Sequence, residues 1–110
     1  MATDGRKGRP RRDLQALIRE TEPNCWLCGS WIDQTLDPQR DPMGSTIDEV
    51  IPYSQGGSTT DPANCRHAHR ACNTYRGDRP VTPDLIATLH DYLTRKGYRP
   101  AAAGSTSRDW

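Results

Sequence analysis

Cys25-Trp26-Leu27-Cys28 and His69-Arg70-Ala71-Cys72 are the two stretches that decide how this chain folds. Two residues separate the donors in each pair, so one turn aims both side chains at a single ion. A tetrahedral zinc takes four such nitrogen or sulfur donors. Gly29 follows the first pair at the position where a knuckle turn needs glycine. Residues 29–68 lie between the pairs, a long interval for a simple zinc finger. The ion would therefore clamp two distant parts of one domain. His69 leads as the remaining donor, with His67 and Cys65 as competitors. Cys65 lies seven positions before Cys72, which is not knuckle spacing.

Composition says why such a clamp is needed. The 110 residues suffice for one domain, yet they hold only 7 Leu, 5 Ile and 2 Val, with no Phe. A short chain this poor in large apolar side chains needs support beyond its core. A structural zinc contributes roughly 10–16 kcal/mol of apparent binding free energy in small finger peptides. No apolar run approaches a membrane span, and no apolar stretch follows the N-terminus as in a secretory leader. The expected compartment is a reducing cytoplasm, where four Cys read as metal ligands or free thiols before disulfides.

The net charge of +1 conceals a segregation. Residues 1–19 carry six basic and two acidic groups, residues 20–61 one and eight, and residues 62–110 eight and four. Two basic flanks suit a phosphate backbone. An acidic middle suits a cation or a catalytic site.

Local patterning places these features. Residues 1–11 read as a basic disordered arm. Leu14, Leu17 and Ile18 form one face of a helix over about 12–21, stopped by Pro23. Residues 33–45 read as loop and residues 45–51 as a short strand. Residues 54–62 form a turn-rich loop around Gly56-Gly57, residues 64–68 a second strand, and residues 69–76 a short helix closed by Gly77. Thr82-Pro83-Asp84 opens a helix over 82–97, with Leu85, Leu89 and Leu93 on one face and Gly97 at its end. Residues 99–110 read as a disordered tail.

Between the knuckles run Ile47-Asp48-Glu49-Val50-Ile51-Pro52, Gln55-Gly56-Gly57, Asn64 and His69-Arg70-Ala71-Cys72-Asn73. In order and spacing this resembles the zinc-knuckled HNH endonucleases over residues 24–77. The resemblance implies a small α+β fold, a ββα-metal finger clamped by structural zinc and flanked by helices, with the domain spanning 12–98. It implies that Cys25, Cys28, His69 and Cys72 bind zinc, and that Asp48 and Asn73 bind a catalytic divalent ion such as Mg²⁺. It also implies that Asn64 orders the loop and supports the base. The position after Asp48, where the family carries the histidine that deprotonates water, holds Glu49. An imidazole titrates near neutrality and a carboxylate does not, so Glu49 is a substituted base, a metal ligand or the mark of lost activity.

Phosphodiester hydrolysis asks for a hard cation, a positioned water and cationic contacts to phosphates. Arg66, Arg70, Arg76 and Arg79 are the expected phosphate contacts. The expected function is metal-dependent hydrolysis of DNA in a phage or mobile-element context, beside packaging or recombination proteins, by a monomer or homodimer with no membrane association. The alternative is a catalytically inactive, zinc-stabilised DNA-binding module. A third reading makes the helix at 82–97 a docking surface for a protein partner.

Overall fold

The computed structural model describes residues 8–100. Of the expected arm (1–11) and tail (99–110), residues 1–7 and 101–110 lie outside the described residues, and residues 9–11 belong to a helix. Three helices and one two-stranded antiparallel sheet make a small α+β fold. Helix α1 (Arg9–Thr21) precedes strand β1 (Ser45–Glu49). Strand β2 (Cys65–His69) follows and runs directly into helix α2 (Arg70–Arg76), and helix α3 (Pro83–Lys96) closes the fold. Among the described residues no helix is long and apolar enough to cross a membrane.

Helix α1 starts earlier than its apolar pattern predicts. Pro10 fixes φ in the first turn, and the Arg12 amide donates to the Gly8 carbonyl at 3.1 Å. Its buried line also differs from the expected one. Leu14 and Ile18 are buried, but the third member is Arg11 at 6% exposure, while Leu17 stands 45% exposed. Arg11 can replace an apolar residue because its guanidinium is engaged inside. Its Nη1 donates to the Thr59 carbonyl at 2.8 Å, and its Nη2 lies 2.8 Å from Glu49 Oε2.

The hairpin pairs Ser45 with His69 and Glu49 with Cys65. Alternation along the strands divides the core. Ile47 and Cys65 face α1, where they join Leu14 and Ile18. Ala68 faces the other way, into a larger cluster with the Cys25–Cys28 knuckle, Ile32, Met43, Ala71, Leu89 and Leu93. In helix α3, Thr82 Oγ1 accepts from the Leu85 amide at 3.1 Å, and Leu85, Leu89 and Leu93 are buried. Gly97 ends it in the left-handed region at φ 74°.

Strand β1 stops two residues short of the expected 45–51, and β2 begins at Cys65 instead of Asn64, for one reason. Asn64 lies in a 3₁₀ turn (Pro62–Asn64), not in the strand. From there its side chain staples the loop. Its Oδ1 accepts from the Ile51 amide at 2.8 Å, and its Nδ2 donates to the carbonyls of Ile51 and Ser58 at 3.1 and 2.9 Å. Ile51 is thereby bonded to a side chain instead of a ladder. Gly57 permits this closure, since a Cβ there would lie 1.7 Å from the Ile51 oxygen and 2.9 Å from Asn64 Nδ2. Gly57→Ala is expected to cost about 1–3 kcal/mol by overpacking. The check is the urea midpoint of the metal-loaded protein, which should fall without a change in slope.

Candidate metal centre and the acidic strand end

The knuckle is built by backbone bonds. The Gly29 amide donates to the Cys25 carbonyl at 2.9 Å, and the Cys25 amide to the Ser30 carbonyl at 2.8 Å. The amides of Cys28 and His69 both point at Cys25 Sγ, each at 3.5 Å. The second donor pair sits where β2 meets α2, since His69 ends the strand and Cys72 lies in the helix's first turn. The donor atoms of Cys25, Cys28, His69 and Cys72 lie within 4.8 Å of one another, and all four residues are buried. Donors on a tetrahedral zinc sit about 3.5–3.8 Å apart, given zinc–sulfur bonds near 2.3 Å. His69 Nδ1 is already 3.4 Å from Cys28 Sγ and 3.8 Å from Cys72 Sγ. The set therefore fits a zinc ion.

The orientation of His69 is fixed from behind. Its Nε2 lies 3.2 Å from the Trp31 carbonyl, which can only accept, so Nε2 carries the hydrogen and Nδ1 faces the thiols. Burial opposes a charge on this ring, but hydrogen bonds to Cys25 and Cys28 and their negative charge outweigh it and raise its pKa to about 9. Thiol hydrogen bonds from Cys28 and Cys72 pull the Cys25 pKa down, and hydrogen bonds with Cys25 and Cys28 push that of Cys72 up.

The competing donors stand elsewhere. His67 Nδ1 donates to the Glu22 carbonyl at 2.5 Å, and its Nε2 accepts from Ser45 Oγ at 2.7 Å. Burial lowers its pKa, in keeping with a neutral ring in a filled network. Cys65 faces α1, with Sγ 3.7 Å from Arg11 Nη1, and burial raises its pKa.

Asp48 and Glu49 end strand β1 on opposite faces. Asp48 is 5% exposed. Its Oδ2 accepts from Arg76 Nη1 at 2.8 Å and from Trp26 Nε1 at 3.1 Å. Burial pushes its pKa up, against the pull of Arg76. Glu49 faces α1 and pairs with Arg11, in an ionic contact that leaves Oε2 without an aligned hydrogen bond. Asn73 lies on α2 three positions before Arg76, so both occupy one helix face. Asn64 sits across the hairpin end, holding the loop.

The arginines separate. Arg76 is 2% exposed and turned inward. Arg66 pairs with Glu22 at 2.9 Å and lies over the Trp26 ring at 5.5 Å. Arg70 is half-buried, with an Nε that has no hydrogen bond among the described residues. Arg79 is exposed and stacks on Tyr75 at 4.8 Å. Sequence reasoning missed Arg11 and Trp26. Arg11 stands at helical spacing from Leu14 and Ile18, but its charge hid it. Trp26 lies inside the knuckle, and no spacing rule ties its indole to a strand residue 22 positions away; only the fold brings it to Asp48.

One metal ion per chain is expected, and its removal by a chelator should unfold the domain, seen as lost near-ultraviolet dichroism. Cys72→Ser should weaken zinc by more than about 100-fold, beyond the cost of losing a supporting group, while Cys65→Ser keeps full zinc content. Affinity should fall between about pH 8 and pH 6, because the thiolates and the imidazole must shed protons to bind.

A sequence model of the family described as HNH endonuclease matches residues 25–79. Neither a curated protein nor a solved structure matches the chain. The matched segment is half of the chain and holds both donor pairs, the hairpin and α2. With this match, and with a four-donor cluster where the two knuckles meet, the chain belongs to the HNH endonuclease family.

Proposed function

We propose that this protein is a metal-dependent endonuclease that hydrolyses DNA phosphodiester bonds. The observation that carries the reading is the juxtaposition at the end of β1. Asp48 touches α2 through Arg76, one turn after Asn73, while Glu49 and Asn64 close the same hairpin end. Asp48 and Asn73 offer the hard oxygen donors that Mg²⁺ takes, and two protein ligands suffice for an ion that keeps several waters. When bound, such an ion polarises the scissile phosphate and neutralises the leaving oxygen. Glu49 takes the proton of the attacking water as the water oxygen bonds to phosphorus and the bridging P–O bond breaks. Arg11 orients that carboxylate. Arg66, Arg70 and Arg79 contact flanking phosphates, and zinc at Cys25, Cys28, His69 and Cys72 holds the scaffold. The unit that acts runs from α1 through α3, close to residues 12–98, as a monomer or homodimer in the cytoplasm. Family likeness supports a phage or mobile-element setting beside packaging or recombination proteins.

A specific observation favours a second reading. Both motif carboxylates are ion-paired to buried arginines, as a zinc-stabilised DNA-binding module without catalysis would allow.

Plasmid relaxation separates the two. Zinc-loaded protein should nick supercoiled DNA in Mg²⁺ or Mn²⁺. Asp48→Ala and Asn73→Ala should each lower the rate by at least about 100-fold with zinc content unchanged. Glu49→Gln should lose about 100-fold or more, the range for a general base. Tight, salt-dependent binding with no cleavage in any divalent ion would establish the binding module instead.

A further inference from the structure

Arg76 is the least expected residue at the strand end. It reads from sequence as a phosphate contact, yet it is 2% exposed. Besides Asp48, its guanidinium donates to three backbone carbonyls: Glu49 at 2.6 Å, Val50 at 2.7 Å and Arg79 at 2.9 Å. Three of its four bonds are therefore independent of the Asp48 carboxylate. The positive charge is held in place by the backbone and then shared with Asp48 Oδ2. Trp26 adds a second donor to the same oxygen, and its ring lies 5.5 Å from the guanidinium. A divalent ion drawn to Asp48 meets a carboxylate whose Oδ2 is already engaged by a resident cation.

We propose that Arg76 is a positioning residue that sets the divalent-ion affinity of Asp48 by competing with the ion for that carboxylate. The inference rests on the reading of Asp48 as a ligand of the catalytic ion. In physical terms the ion-competent arrangement, with Oδ2 released, is a minor fraction of the population. Apparent affinity is reduced by that fraction. Arg76 also fixes the carbonyls of Glu49 and Val50, so the same side chain sets the strand end from which Glu49 projects.

The test uses zinc-loaded full-length protein and Mn²⁺ as the probe, with bound ion followed by electron paramagnetic resonance. Arg76→Met, which keeps the bulk and removes the charge, should bind Mn²⁺ at least about tenfold more tightly than wild type, as expected when a competing state is removed. Arg76→Lys should stay near wild type. Asp48→Asn should abolish binding in either background. Equal affinity in wild type and Arg76→Met, with Asp48→Asn still abolishing binding, would overturn the role of Arg76 and leave the nuclease reading standing. Binding unaffected by Asp48→Asn, or no binding in any variant together with no cleavage, would overturn both. Should Arg76→Met fail to fold, wild type carries the test by nitrogen-15 NMR. At Mg²⁺ concentrations matched to Mn²⁺ saturation, the Trp26 indole N–H and the Arg76 Nε–H resonances should shift along one curve. Resonances that stay still at saturation would overturn the proposal.

Discussion

Cys25, Cys28, His69 and Cys72 meeting at one point is the constraint on which the rest of the molecule depends. Cys28 and His69 are 41 residues apart in sequence, and their side chains touch. The apolar core around them is modest and includes three of the donors themselves. Hydrophobic burial on this scale leaves a chain of this length close to marginal. A metal held by these four donors would supply what a core poor in large apolar side chains does not. The donor cluster joins the knuckle, which precedes the sheet, to the strand–helix junction that ends it.

Two buried arginines form a second layer of order. Arg11 ties α1 to the face of β1 that carries Glu49, and Arg76 ties α2 to the face that carries Asp48. Burying a guanidinium is costly unless carbonyls and carboxylates receive its hydrogens. Arg76 meets that condition with four acceptors, whereas the Nε of Arg11 has none among the described residues. The two acidic residues at the strand end are therefore joints of the scaffold as well as members of the candidate site. A substitution at either position acts on packing and on chemistry together.

Features governed by local rules were legible in the sequence. Thr82-Pro83 and Gly97 bracket α3, and the four-residue rhythm of Leu85, Leu89 and Leu93 gives its buried face. The knuckle spacing gave the donor set, because two intervening residues are a geometric requirement of the site. What escaped was set by distant partners. Leu17 and Arg11 exchanged roles because Glu49 and Thr59 stand where α1 docks. Arg76 turned inward because the carbonyls that end β1 lie within reach of α2. Strand β1 ended early because Asn64 captured the backbone of Ile51 with its side chain. Each depends on a tertiary contact that no periodicity in the chain encodes.

His69 belongs to three structures at once: it ends β2, precedes the first residue of α2 and supplies the nitrogen donor. A two-stranded sheet of five-residue strands is too small to hold its own alignment in water. Sliding one strand by a single position would exchange the faces of every side chain on it. It would turn His69 away and present Ala68 or Arg70 to the thiols, neither of which can take its place. An ion bound by the four donors would thus proofread the hairpin. Strand alignment, a property that larger sheets draw from many side-chain contacts, would then be set by coordination chemistry.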